Sequence, residues 1–354
     1  MRFLLLVSSA LLFPLALPAQ EEGSPPPGPP GPAPEMKKLE PMLGHFEGEG
    51  FFVGEAGGPR MPWKAVSVVR KVLGGHWQVE DTVIEFEARG LPKLYFHTYT
   101  GWDRERKRYV IYMTGNTGRA DRMDLEILGD GRILTSSSMI EEGKRVLEWN
   151  LSEYDDKGFR FVDKRSVDGA DPFVSIQGRF LRVGKVEAEF VDAAFPTPKP
   201  VPELAALRGI AGKYRLKGAV IPMPGMEEMP ISGVQTVRSV FSGRVLFFES
   251  IGDPMQGFRY RDFATLAWDP EIRSFRLFFV NNVGEHGFFR SRFDPKTRTL
   301  VSFSSGPMMG RLAAHRSEMR LAEDGSILSS SDVLLLGNLD PYTAFKAAYE
   351  RLER

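Results

Sequence analysis

The 354-residue chain predicts an all-β protein made of one antiparallel barrel or sandwich domain repeated in tandem, each copy preceded by a short helical turn. Three observations carry this. A proline cluster, Pro196 to Glu203, divides the chain almost in half, the halves align with each other, and within each half short Val-, Phe-, Tyr- and Ile-rich runs alternate with Gly, Asp and Asn turns.

The first residues, "MRFLLLVSSALLFPLALPAQ", place one positive charge at Arg2, an uncharged apolar run from Phe3 to Leu17 and a small-residue exit at Ala19. This is the pattern of a secretory signal over 1–19, too short to serve as a durable membrane anchor. The expected address is exported, periplasmic or extracellular, with no integral membrane segment after cleavage. Residues 20–36, dominated by Pro and Gly, read as a disordered tether. The first β domain follows over 37–185, a linker over 186–203, and the second β domain over 204–354.

The repeat is explicit. "LGHFEGEG" lies over "AGKYRLKG", pairing Gly44, Phe46 and Gly50 with Gly212, Tyr214 and Gly218. The same offset pairs Val66, Arg70, Val72, Gly75 and Asp81 with Val234, Arg238, Val240, Gly243 and Glu249. After a small slip, Trp102, Asp103, Tyr109 and Gly118 meet Trp268, Asp269, Phe275 and Gly284, and slips between matched blocks are what loops tolerate. The helical turns fall on "EMKKLEPML" and "PELAALRGI". The last stretch, "YTAFKAAYERL", has helix propensity, but its counterpart "FVSIQGRFL" reads as strand, so both are assigned strand.

Composition narrows function. Lys+Arg and Asp+Glu are each 46, so no global field draws the protein to nucleic acid, and the basic cluster in "GWDRERKRYV" becomes "AWDPEIRSFR" in the second copy. That cluster is a solvated turn between two strands, with Trp102 and Tyr109 as packing anchors. The chain has no cysteine, which excludes disulfides and thiol chemistry.

Each copy resembles domain-of-unknown-function family 1579, exported bacterial proteins with a Leu-Xaa-Gly-Xaa-Trp/Phe-Xaa-Gly opening, a Gly-Gly-Arg-Phe hairpin and a Gly-Tyr/Trp-Asp turn leading to Lys-Lys-Tyr. Here these stand as Leu43 to Gly48, Leu73 to Trp77 and Gly101 to Tyr109, and as Ala211 to Tyr214, Ser242 to Leu246 and Ala267 to Phe275. The second copy departs at Ser242 and Pro270-Glu271. The resemblance implies a calycin/lipocalin-like or nitrobindin-like barrel and brings no settled activity.

In the first hairpin, a Gly74-Gly75 turn sets Leu73 opposite His76 and Arg70 opposite Val79, with Asp81 diagonal to Arg70 on a face that also carries Val66, Val68, Val72, Trp77 and Val79. Arg238 and Glu249 repeat the arrangement. Taking the apolar face as the interior, Arg70 with Asp81 and Arg238 with Glu249 are the candidate ligand-binding pairs, since an interior guanidinium can hold a carboxylate or phosphate. The competing account is an ion pair that only satisfies itself.

The five histidines, His45, His76, His97, His286 and His315, are not duplicated, and no His/carboxylate spacing suits a metal. No cofactor is expected. Because nitrobindin-like barrels hold haem through one histidine, His97, expected to face an interior with Tyr95 and Tyr99, and His315 could serve as axial ligands, against the commoner use as hydrogen-bonded residues. No nucleophile elbow or phosphate loop is present. The expected function is binding of a small hydrophobic or amphipathic ligand inside the barrels. The rival is an interaction protein with filled barrels, and an enzyme stands third.

Overall fold

The computed structural model describes residues 30–87, 91–184, 201–221, 223–255, 258–308 and 311–353. The expected signal segment, most of the tether and most of the linker lie outside the described residues.

The chain forms two closed barrels of ten antiparallel strands each. The first comprises β1 (Gly44–Phe52), β2 (Met61–Val72), β3 (Trp77–Phe86), β4 (Leu94–Asp103), β5 (Arg108–Gly115), β6 (Ala120–Gly129), β7 (Arg132–Glu141), β8 (Lys144–Asp155), β9 (Gly158–Val167) and β10 (Phe173–Val183). The second comprises β11 (Gly212–Val220), β12 (Met229–Val240), β13 (Val245–Gly252), β14 (Arg261–Asp269), β15 (Ser274–Asn281), β16 (His286–Asp294), β17 (Thr299–Met308), β18 (Arg311–Leu321), β19 (Ile327–Leu336) and β20 (Tyr342–Glu353). Short turns leave each strand no partner but its sequence neighbour, and β1 with β10, then β11 with β20, close the two rings. The two tandem antiparallel barrels expected from the sequence are therefore formed.

The helical turns plug one end of each barrel. In the first, Pro34–Met42 forms a 3-10 helix whose Met36, Leu39 and Met42 share one core with Phe46 and Tyr109. Its carbonyls are used: Gln78 Nε2 donates to Leu39 O at 2.9 Å and the Tyr109 hydroxyl to Glu35 O at 2.8 Å. In the second, α1 (Pro202–Ala205) and a 3-10 turn at Arg208–Ile210 bury Leu204, Leu207 and Ile210, and Tyr214 donates to Ile210 O at 2.9 Å. The C-terminal stretch is strand β20. Phe345, Ala347 and Tyr349 turn inward while Lys346, Ala348 and Glu350 are exposed, a period of two that closes the ring against helix propensity.

The β2–β3 register is the expected one, with Arg70 opposite Val79 and Val72 opposite Trp77. The faces are exchanged. Trp63, Ala65, Ser67 and Val69 of β2 face the lumen with Gln78, Glu80, Thr82 and Ile84 of β3, whereas Arg70, Val72, Trp77, Val79 and Asp81 lie on the outer wall. An apolar face marks a buried face, and here the second barrel buries it.

Leu73, Trp77, Val79, Tyr95, Tyr99, Val110 and Tyr112 share one core with Phe241, Val245, Phe247, Ala267, Phe278 and Val280. Strands β3–β5 thus meet β13–β15, their own counterparts, as in the isologous interface of a two-fold dimer. Polar bonds fix the docking: Trp77 Nε1 donates to Asn281 O at 3.0 Å, Arg276 reaches Asp121 at 2.9 Å, and the Tyr112 hydroxyl lies 2.7 Å from His286 Nδ1. Gly101 permits the docking by its lack of a side chain, because a Cβ there would stand 2.3 Å from Trp77 Cε3.

Candidate functional site in the first barrel

Side chains alternate in and out along a strand, so the register assigns every lumen position. In the first barrel these positions change character from one end to the other. Near the helical plug the lumen is aromatic, with Phe46, Tyr109, Tyr154, Phe159 and Phe180, and Glu80 lies at this end beside Tyr154. Toward the opposite end come Thr135, Ser137, Glu148, Asn150, Ser152, Asp163 and Arg165, with Arg119, Asp121 and Glu141 at the mouth.

Solvent reaches this lumen. Phe96, Met113, Met123, Phe161 and Ile176 face inward yet remain partly accessible, as do Glu80, Glu148, Asn150, Ser152, Asp163 and Arg165. A side chain inside a closed ring of strands keeps accessible surface only where a water-sized space adjoins it.

The polar groups are held by one another. Ser67 donates to Glu80 Oε1 at 2.7 Å and Thr82 stands 3.0 Å from the same oxygen. Ser175 donates to Asp163 Oδ1 at 2.8 Å. Arg165 is paired with Glu141 and lies 3.8 Å from Glu148, and Arg119 lies 3.0 Å from Asp121 and 3.8 Å from Glu141.

Burial dominates their protonation. It raises Glu148 to about 7, with Asp163 adding repulsion and Arg119 opposing, and raises Asp163 to about 6 against hydrogen bonds from Ser175 and Asn150. Glu80 is pushed up by burial despite Ser67 and Thr82. Such carboxyls can donate or accept a hydrogen bond near neutral pH. Among the described residues no group of three or more His, Asp or Glu is placed to hold a metal ion.

The second lumen is sealed. Its inward-facing Tyr214, Phe248, Asp262, Leu266, Leu277, Ser302, Ser317, Asp332 and Phe345 have essentially no exposed surface. The two lumens diverge at matched strand positions: Glu148 opposite Arg165 becomes His315 opposite Leu334, while Asn150 opposite Asp163 becomes Ser317 opposite Asp332.

Of the polar lumen groups the sequence singles out His315 in the second barrel, but none of Glu148, Asn150, Asp163 or Arg165 in the first. A signal was present in the alternation of Glu148, Asn150 and Ser152 on β8 and of Phe161, Asp163 and Arg165 on β9, which puts polar residues on one face. It competes with the stronger apolar face of β2 and β3, which alternation alone does not distinguish from a lumen face.

The pairs chosen from the sequence sit elsewhere. Arg70 does meet Asp81, Nη1 to Oδ2 at 2.6 Å, but on the outer wall with the arginine half exposed. Burial acts to raise Asp81, and His97 and Arg70 outweigh it, leaving the carboxyl low. Arg238 and Glu249 are not joined: Arg238 is exposed, with its guanidinium 5.9 Å from the Phe247 ring centroid, and Glu249 accepts from Arg261 at 2.6 Å. The substitution of an outer-wall setting for an interior one explains both, since neither pair needs its partner to be tolerated there.

His97 shares a face with Tyr95 and Tyr99, as expected, but it is the outer face. Its Nδ1 lies 2.5 Å from Asp81 Oδ1 and its ring meets Phe247 edge-on at 5.3 Å. His315 is inside the second barrel, with Nε2 3.6 Å from Asp332. Two open troughs of about 530 and 460 Å³ lie on the outer walls, the first around Glu47, Lys64, Val83 and Arg179, the second around Lys217, Glu318 and Lys346.

The fold defines the class: a tandem pair of ten-stranded up-and-down antiparallel barrels with one accessible and one filled lumen. Residues 199–351, the second barrel, match the family model of DUF1579, described as a protein of unknown function. The sequence resemblance to that family thus holds for this half, and the assignment of the first half as a second copy rests on its barrel. No curated protein matches the chain.

Among solved structures, Rv2717c from M. tuberculosis is 16% identical, covering 43% of this chain and 99% of its own, with a TM-score of 0.35. A DUF3598-family protein of unknown function from Nostoc punctiforme is 11% identical, covering 90% and 100%, with a TM-score of 0.22.

Proposed function

We propose that the first barrel binds a small amphipathic molecule in its lumen, and that the second barrel is its filled structural partner. The supporting observation is the contrast between the lumens: inward-facing side chains of the first are reached by solvent and those of the second are not. An aromatic floor suits an apolar body. Carboxyls at Glu80, Glu148 and Asp163 outnumber the lumen arginine Arg165, which favours a head group rich in hydrogen-bond donors. Export is part of this reading, supported by Arg2 and the apolar run Phe3 to Leu17.

The test is native mass spectrometry of the full chain purified from its own host, with uptake of an apolar fluorophore as a second readout. A retained small molecule, lost together with fluorophore uptake in a Met123→Trp, Ser152→Phe variant that fills the lumen, is expected. A bare mass with no fluorophore uptake by the wild type overturns the reading. It leaves the interaction protein, which the sealed second barrel already favours for that half.

A further inference from the structure

Between the barrels lies a cleft of about 110 Å³ that neither barrel forms alone. The first supplies Arg106, Tyr112 and Arg122. The second supplies His286 and the segment Ser304, Ser305 and Gly306 of β17.

Its charge is unbalanced. Asp103 is committed to Arg106, accepting the guanidinium at 2.8 Å and the Arg106 backbone N–H at 2.9 Å, and it stands 3.6 Å from His286 Nε2. The Tyr112 hydroxyl lies 2.7 Å from the other ring nitrogen of His286. Arg122 has no comparable partner: its nearest carboxylate, the exposed Asp124, is 3.4 Å away and equally distant from Arg108, and its buried Nε has no hydrogen-bond partner. A guanidinium with an unused buried donor gains from an anion that accepts it.

The opposite wall is shaped for close approach. A Cβ on Gly306 would stand 2.5 Å from Arg106 Nη2, so glycine lets the end of the guanidinium come close to β17. Ser304 and Ser305 also line this side, and the room is that of a few water molecules.

We propose that this cleft is a binding site for a free small oxyanion, of phosphate or short-carboxylate size, held between the Arg122 and Arg106 guanidiniums against the β17 segment at Gly306. It is separate from the lumen of the first barrel. Because its walls come from both barrels, the anion would also tie them together.

Calorimetric titration of the full chain with inorganic phosphate, and separately with acetate, at constant ionic strength in chloride, tests this. Saturable one-to-one binding of at least one anion is expected. Arg122→Gln should weaken it by at least about tenfold, the scale of losing charge-assisted hydrogen bonds. Gly306→Ala, which only displaces the end of a flexible arginine, should weaken it while circular dichroism stays unchanged, and Glu148→Gln in the lumen should leave it intact. Failure of the wild type to bind either anion, or equal binding by a folded Arg122→Gln protein, overturns the proposal.

Discussion

Tyr112 and Phe278, which occupy the same position in the two repeats, stack on one another with ring centroids 5.3 Å apart and planes 14° from parallel. A residue that touches its own counterpart lies on a two-fold axis, so the tandem chain is packed as a covalently joined dimer. The Tyr112 ring also stacks on Phe288 at 6.2 Å. An apolar interface of this kind behaves as core, and the linker removes the concentration dependence that a separate dimer would have.

The two barrels should therefore unfold together. Scanning calorimetry of the wild type is expected to give one transition whose calorimetric and van't Hoff enthalpies agree. Tyr112→Ala removes two ring stacks and the contact with His286, and should cost about 3–5 kcal/mol and separate the transition into two. Two transitions in the wild type would show that the shared core does not couple the barrels.

The hydroxyl of Tyr109 should hold the helical plug. Its ring meets Trp102 edge-on at 4.8 Å while the hydroxyl donates to Glu35 O. Tyr109→Phe keeps the ring contact and loses the bond, for an expected cost of about 0.5–1.5 kcal/mol. Amide exchange over residues 34–42 should quicken while exchange in β4 and β5 stays slow. Unchanged protection of the plug would place its stability elsewhere.

Glu148 should make stability fall as pH rises. Its folded-state pKa is raised to about 7 from 4.5, so between those values the folded chain holds a proton that the unfolded chain has released. The contribution is complete below about 4.5, declines by at most about 1.4 kcal/mol per pH unit, and is level above about 7. Glu148→Gln cannot lose that proton. Compared at each pH by urea midpoint, the variant should gain on the wild type from pH 4.5 to 7 and hold a constant advantage above. A constant difference across the range would mean that Glu148 titrates normally.

Much of the fold was legible because local chemistry is repeated. The Trp-Asp turns that align the repeats build the same object twice: Trp102 meets Tyr109 at 4.8 Å and 71°, and Trp268 meets Phe275 at 4.9 Å and 69°. Asp103 and Asp269 each accept backbone N–H groups of their turn at 2.9 Å. Gly118 and Gly284 share φ values of 82° and 84°, a conformation that favours glycine. The basic cluster is a turn, in which Arg104 reaches Gly31 O, Arg106 is held by Asp103 and Arg108 lies near Asp124.

The site was less legible, for a reason visible at Arg70 and Asp81. Their strand register followed from the hairpin, but a period of two gives two faces without saying which one surrounds the lumen. The rule that apolar means inside fails when a second domain covers the outer wall, as it does over Trp77, Val79 and Tyr99.

By itself the sequence determined the all-β class, the duplication, the helical turns and the hairpin register, all set by turn residues, alternation and repeats within a few positions of each other. Tertiary structure alone decided that each ring closes with ten strands, that the repeats dock face to face through Tyr112 and Phe278, and that one lumen stays accessible while the other fills. Those outcomes depend on which surfaces cover which, and burial is a property of the assembled whole, not of the local pattern.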